Sequence, residues 1–148
     1  MQVRKFAFSI GWVMLTLGVF ALIPGLYQLE NTNLPALNLE ASYGLFLGFI
    51  PLNIMNKLAL IGFGLAGIAV NTKNNTYASV QYSRVLSVAM GLLAVLGLIP
   101  ASQTLGGYWP LFGADVAVHA IIAGIAGYFG FVKKQARVAD VIHTRFAA

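Results

Sequence analysis

The sequence predicts an all-α membrane protein with four transmembrane helices, arranged as two tandem helical hairpins with interfacial or re-entrant segments before helices two and four. Three observations predict it. Of 148 residues, 59% are hydrophobic and only 9% charged, where a soluble domain carries about 25% charge. Mean hydropathy is +0.80. Four apolar runs, each close to the roughly 20 residues that cross a bilayer, are separated by short polar stretches. What remains outside these runs is too short for a separate soluble catalytic domain. The chain has no Cys, which excludes a disulfide scaffold and thiolate zinc sites.

The first run, 6–27, follows Arg4 and Lys5 and is broken only by Ser9, Thr16, Pro24 and glycines. It is longer than the apolar core of a secretory signal, and Ile23-Pro24-Gly25 offers no small-x-small cleavage site. It reads as a retained helix. Residues 30–42, with Glu30, Glu40, Pro35 and three Asn, form an aqueous loop. Pro51, Asn53, Asn56 and Lys57 then divide a long apolar run. The piece before them is an interfacial or re-entrant segment, and the second helix (54–70) starts at Asn53, because the residue before Pro is pushed out of helical geometry and Asn is a good N-cap. A polar turn over 71–77 leads to the third helix (80–99), with Arg84 able to snorkel and Pro100 as its stop. An aromatic, Gly-rich patch follows, and the fourth helix (115–132) runs into a basic tail, 133–148. That tail mixes Lys133, Lys134, Arg137 and Arg145 with Val138, Val141, Ile142 and Phe146, a pattern for anionic lipid or a helical extension.

Every basic residue except Lys57 falls on the side of the termini and the central turn, and the opposite loops carry Glu30, Glu40 and Asp115. The positive-inside rule therefore places both termini in the cytoplasm. The net charge of +5 reflects orientation, and nucleic-acid binding is an unnecessary explanation.

Val19-Phe20-Ala21-Leu22-Ile23-Pro24-Gly25 is echoed by Val95-Leu96-Gly97-Leu98-Ile99-Pro100-Ala101, and the spacing Asn53, Lys57, Gly62 by Asp115, His119, Gly124. The two hairpins read as a parallel repeat about an axis along the membrane normal. Gly62 with Ala66, and Ala120, Ala123, Gly124 and Gly127, form small-xxx-small series expected to pack helices closely.

Gly48-Phe49-Ile50-Pro51-Leu52-Asn53 leading to Asn56, and Ala114-Asp115 followed by His119, each run into a Gly-rich helix. On these residues the chain resembles the small bacterial four-helix membrane proteins grouped as domain of unknown function 4383. The resemblance implies a four-helix fold in a bacterial-type inner or internal membrane and no established activity. The family frequently has a His near positions 56 and 57, where this chain has Lys57.

Asn53, Asn56, Lys57, Asp115 and His119 form the candidate polar cluster. Intramembrane ionisable groups are costly and mark functional sites by default, and Asp115 and His119 share a helix face. Two readings stand: a pocket in which Lys57 pairs with Asp115 and His119 carries a proton or a ligand, or an interhelical clip in which each polar group satisfies another. No second His or Cys stands at metal-ligand spacing, so no metal is expected. The cofactor is left undetermined. Tyr43, Phe46, Phe49, Tyr108, Trp109 and Phe112 are expected interfacial anchors, or cover for a lipid, quinone or pigment pocket. Tyr128 reads as a further anchor. No catalytic motif is present, so no enzyme is expected. The first functional expectation is a structural or interaction subunit whose partners are the lipid bilayer and either a second copy or a larger membrane complex. The alternatives are a small-solute or proton transporter, and a binder of lipid, quinone or pigment.

Overall fold

The computed structural model describes residues 2–28, 34–72 and 76–132. Glu30, Lys73 and the tail 133–148 lie outside them. Four helices form the body: α1 (Gln2–Phe20), α2 (Ile54–Thr72), α3 (Thr76–Leu98) and α4 (Ala114–Gly127), the last continued by a π-helical turn, Tyr128–Val132. Each of the four, with that turn included, is long and apolar enough to cross a membrane. Their outward faces carry Trp12, Leu58, Leu65, Val85, Val88, Leu92, Ile121 and Ile125, a surface suited to hydrocarbon and not to water. This is a multi-pass membrane protein.

α1 begins and ends earlier than the apolar run suggests. The run's last residues instead form a short 3₁₀ turn, Pro24–Leu26, and strand β1 (Tyr27–Gln28). Proline at the first position of that turn cannot supply the N–H that would continue the helix. The segment expected to be interfacial or re-entrant is a β-hairpin of β2 (Gly44–Phe46) and β3 (Ile50–Leu52), and β1 pairs with β2 to complete a three-stranded antiparallel sheet. Leu47 and Gly48 turn the hairpin at positive φ. Pro51 sits in edge strand β3, where a missing donor is tolerated. Phe46, expected as an anchor, is buried with Ala21 and Leu52 under this sheet. Alternation along β2 turns it inward with Gly44, opposite to half-buried Leu45.

The sheet and the loop before α4 cap one end of the bundle, and the chain start, the α2–α3 junction and Val132 lie at the other. α1 packs on α2 and α3 on α4, and the two pairs meet through α3. Ala7, Met14, Tyr82, Leu86, Met90 and Ala126 form the central core. α3 also carries the polar ties: Tyr82 Oη donates to Phe63 O (3.0 Å), Ser87 Oγ to Ala123 O (2.9 Å) and Arg84 Nε to Gly130 O (2.8 Å). Such bonds hold helices together where hydrocarbon offers no hydrophobic drive.

The packing glycines differ from those expected. Gly62, Ala66, Ala120 and Gly124 face outward, and nothing lies within 4 Å of a Cβ built on Gly62 or Gly124. Ala123 and Gly127 do meet α3, Gly127 beside Ser87 Oγ. The closest approach is between α1 and α2, where Gly11 faces the backbone of Gly64 and Ile68, and Gly64 faces that of Leu15. Two residues apart on a helix is about 200° of rotation, so Gly62 and Gly64 cannot share a face. Gly64 follows buried Lys57 by two turns and lies on the inward side.

A Cβ at Gly64 would stand 2.5 Å from Leu15 N. Gly64→Ala is expected to lower stability by about 1–3 kcal/mol through overpacking, while Gly62→Ala raises it by up to about 1 kcal/mol through helix propensity. Opposite shifts of the thermal midpoint in detergent would show it, and shifts of the same sign would refute the assignment of faces.

Candidate functional site

Asn53 anchors the capped end. Its Oδ1 accepts from Met55 N (3.0 Å) and Asn56 N (3.4 Å), and Asn56 Oδ1 accepts from Asn53 N (3.1 Å). This is a reciprocal capping box, and it starts α2 where the sequence places it. Asn53 Nδ2 donates to Leu39 O (3.2 Å) and Tyr108 O (2.8 Å), which ties both connecting loops to the helix. Asn38 adds a second tie through its backbone N to Gly107 O (2.7 Å) and Nδ2 to Gly106 O (2.9 Å). Gly107, at φ 88°, leaves no room for a side chain against Asn38.

Lys57 is fully buried, yet it does not pair with Asp115. Its Nζ donates to Ser42 O (2.9 Å) and stands 3.9 Å from the centre of the Tyr27 ring, a cation–π contact strengthened by the absence of water. Tyr27 Oη in turn donates to Ala21 O. Burial pushes the Tyr27 phenol up to about 12, so it stays protonated and neutral. One turn of helix after Asn53 carries Lys57 to the sheet side of α2, while Asn56 faces the opposite helix pair. The sequence gives no local signal for Tyr27, whose partner lies thirty positions on.

Between the two helix pairs runs a cavity of about 290 Å³. Met14, Leu17, Leu60, Phe63, Met90 and Ile122 supply much of its wall, Phe46 and Trp109 roof it, and Asn56, Asp115 and His119 line it beneath that roof. α1 and α4 approach each other chiefly at the far end, where Phe6 stacks on Phe129 with centroids 4.6 Å apart. Above that contact the cavity has an open side, marked by the exposed Val13 and Leu17.

The polar end is underused by the protein. Asp115 and His119 are 3% and 7% exposed, in the first turns of α4, where a carboxylate suits the helix dipole. His119 Nδ1 stands 3.1 Å from Asp115 Oδ2, so these two buried groups face each other, while Trp109 Nε1 is buried without a hydrogen-bond partner. Unsatisfied buried groups cost about 1–3 kcal/mol each. Of the candidate cluster, the structure thus brings Asn56, Asp115 and His119 to one cavity and sends Asn53 and Lys57 to architectural contacts. Of the expected anchors, Phe49 and Tyr108 are exposed, Tyr43 is half-buried with its Oη donating to Pro35 O (2.9 Å), and Phe112 is half-buried. Trp109 belongs to the cavity. Tyr128 is exposed near the far end. Among the described residues no group of three or more His, Asp or Glu could hold a metal ion.

Asn53→Ala is expected to cost about 1–2 kcal/mol through the lost cap, and more through the lost loop ties. Asn56→Ala alone should cost about 0.5–2 kcal/mol, because its Oδ1 accepts from the backbone N of Asn53. Thermal midpoints of both single variants check this, and a variant as stable as the wild type would overturn that half of the capping box.

No curated protein and no solved structure matches the chain. A family model does match, over residues 4–132, which takes in all four helices, the cap and the cavity, and the chain belongs to that family, described as Domain of unknown function (DUF4383).

Proposed function

We propose that this protein holds an apolar, lipid-type molecule taken from the bilayer, with its head under Trp109 and its chain along the cavity. The observation that carries this reading is an apolar cavity with an open side between α1 and α4 and, at one end, the polar groups of Asn56, Asp115 and His119 under Trp109, whose Nε1 has no hydrogen-bond partner. Its volume lies at the lower edge of the range for ligand pockets, about 300–1,000 Å³, so a longer chain would extend through the open side into lipid.

Transport fits less well. The polar side chains gather at the capped end, and below them the wall is apolar down to Phe63 and Met90, which supplies no relay across the membrane. The structural or interaction reading is favoured by a separate observation: Gly62, Ala66, Ala120 and Gly124 are exposed, leaving small-residue faces on α2 and α4 open to another helix. Association with a second copy or a larger complex through those faces is compatible with a filled cavity. The sequence echo between the hairpins and the pairing α1–α2 and α3–α4 support descent from a repeat. The basic residues support cytoplasmic termini, and the family resemblance supports a bacterial-type inner or internal membrane.

Protein extracted from its own membrane with surrounding lipid is expected to retain about one apolar molecule per cavity, read by native mass spectrometry. Ala59→Phe, which fills the cavity from α2, should abolish retention with little change in thermal midpoint. An empty wild-type protein, or equal retention by the variant, would overturn the reading. Orientation is tested at Asn74-Asn75-Thr76, an acceptor sequence between the second and third apolar runs: no glycosylation is expected in microsomes, and modification there would invert the topology.

A further inference from the structure

We infer that the molecule held in the cavity carries an uncharged oxygen head, a hydroxyl or a carbonyl, and that His119, oriented by Asp115, is the residue that recognises it. This rests on the reading of the cavity as a ligand site and narrows it to one chemistry.

The argument begins with charge. Among the described residues no Lys or Arg lines the cavity: Lys57, one position from the lining residue Asn56, is turned away to Ser42 O and the Tyr27 ring. Asp115 sits in the wall. A phosphate or carboxylate head placed there would meet a carboxylate in a low-dielectric setting, with no Lys or Arg to offset the repulsion. An ammonium head would compete for Asp115 with His119, whose Nδ1 is already 3.1 Å from Oδ2.

The hydrogen-bonding inventory points the same way. With Nδ1 turned to the carboxylate, His119 keeps Nε2 as its second hydrogen-bonding atom. A small ring rotation would align Nδ1–H with Oδ2 and leave Nε2 as an acceptor for a hydroxyl, while a carbonyl would be met by the donors beside it. The first donor is Trp109 Nε1–H, buried in the roof without a partner. Asn56 commits Oδ1 to the cap of α2 and keeps its amide nitrogen as a second. One acceptor beside fixed donors matches an oxygen that is both donor and acceptor or a pair of such oxygens. Long-chain alcohols and quinone–quinol pairs share that chemistry.

The test uses full-length protein in discs of zwitterionic lipid, with Trp12→Phe so that Trp109 is the only indole. Dodecanol, dodecanoic acid and dodecylamine present one chain with three heads, and decylubiquinone with its quinol supplies the ring alternative. Dodecanol or the quinone pair is expected to perturb Trp109 emission with an affinity, expressed as the mole fraction of probe measured in the lipid, at least about tenfold tighter than acid or amine, since opposed like charges are strongly rejected. Which of the two binds tighter assigns the source of the oxygen. Asp115→Asn should shrink the deficit of the acid, and His119→Phe should erase the preference for the alcohol while the chain still binds. Acid or amine binding as tightly as the neutral probes would overturn this inference and leave the cavity reading intact. No response to any probe would overturn both.

Discussion

The capped end of the molecule depends on how one side chain spends its hydrogen bonds. Asn53 uses its carbonyl to start α2 and its amide to hold two loop carbonyls more than a dozen residues away on either side of the sequence. In a bilayer setting, backbone groups freed by a break between helices need protein partners, and Asn53 supplies them at the place where two connections converge. The roof of the cavity follows from this. Tyr108 is pinned to Asn53, Trp109 is the next residue, and Leu111, fully buried, returns its backbone N to Gln103 O (2.7 Å) before α4 begins.

Below the roof, two kinds of contact divide the work. α1 and α2 approach through glycines, backbone against backbone, with Gly11 and Gly64 at the crossing. α3 and α4 are instead tied by Ser87 and Arg84 to carbonyls of α4 and its π turn. Gly130, whose O accepts from Arg84, lies within that π turn. Between these two well-bonded pairs the contacts are thinner, and the cavity occupies that seam.

Helix number, the start of α2 at Asn53 and the stop of α3 before Pro100 were legible in the sequence, since each is written in local chemistry: an apolar run, a capping side chain, a proline. The inward position of Asn56, Asp115 and His119 was legible too, because a polar group inside an apolar helix has few places to go. Pairings were not. Lys57 finds the ring of Tyr27 and a loop carbonyl in preference to Asp115, and this depends on a β-sheet whose strands are only two or three residues long, too short to announce themselves by alternation. The choice between Gly62 and Gly64 was open for a related reason. Small residues stand on both faces of α2, and only the inward heptad from Lys57 to Gly64 separates them.

The open side between α1 and α4 sets the unit in which affinity at this cavity has to be expressed. A molecule that arrives sideways through hydrocarbon never leaves the membrane phase, so its binding is governed by its mole fraction among lipids and not by its aqueous concentration. Insolubility then becomes no obstacle to rapid exchange. An apparent affinity obtained by adding such a compound from water would fold its partition coefficient into the answer, and two compounds that fit the cavity equally would seem to differ merely because one enters lipid more readily.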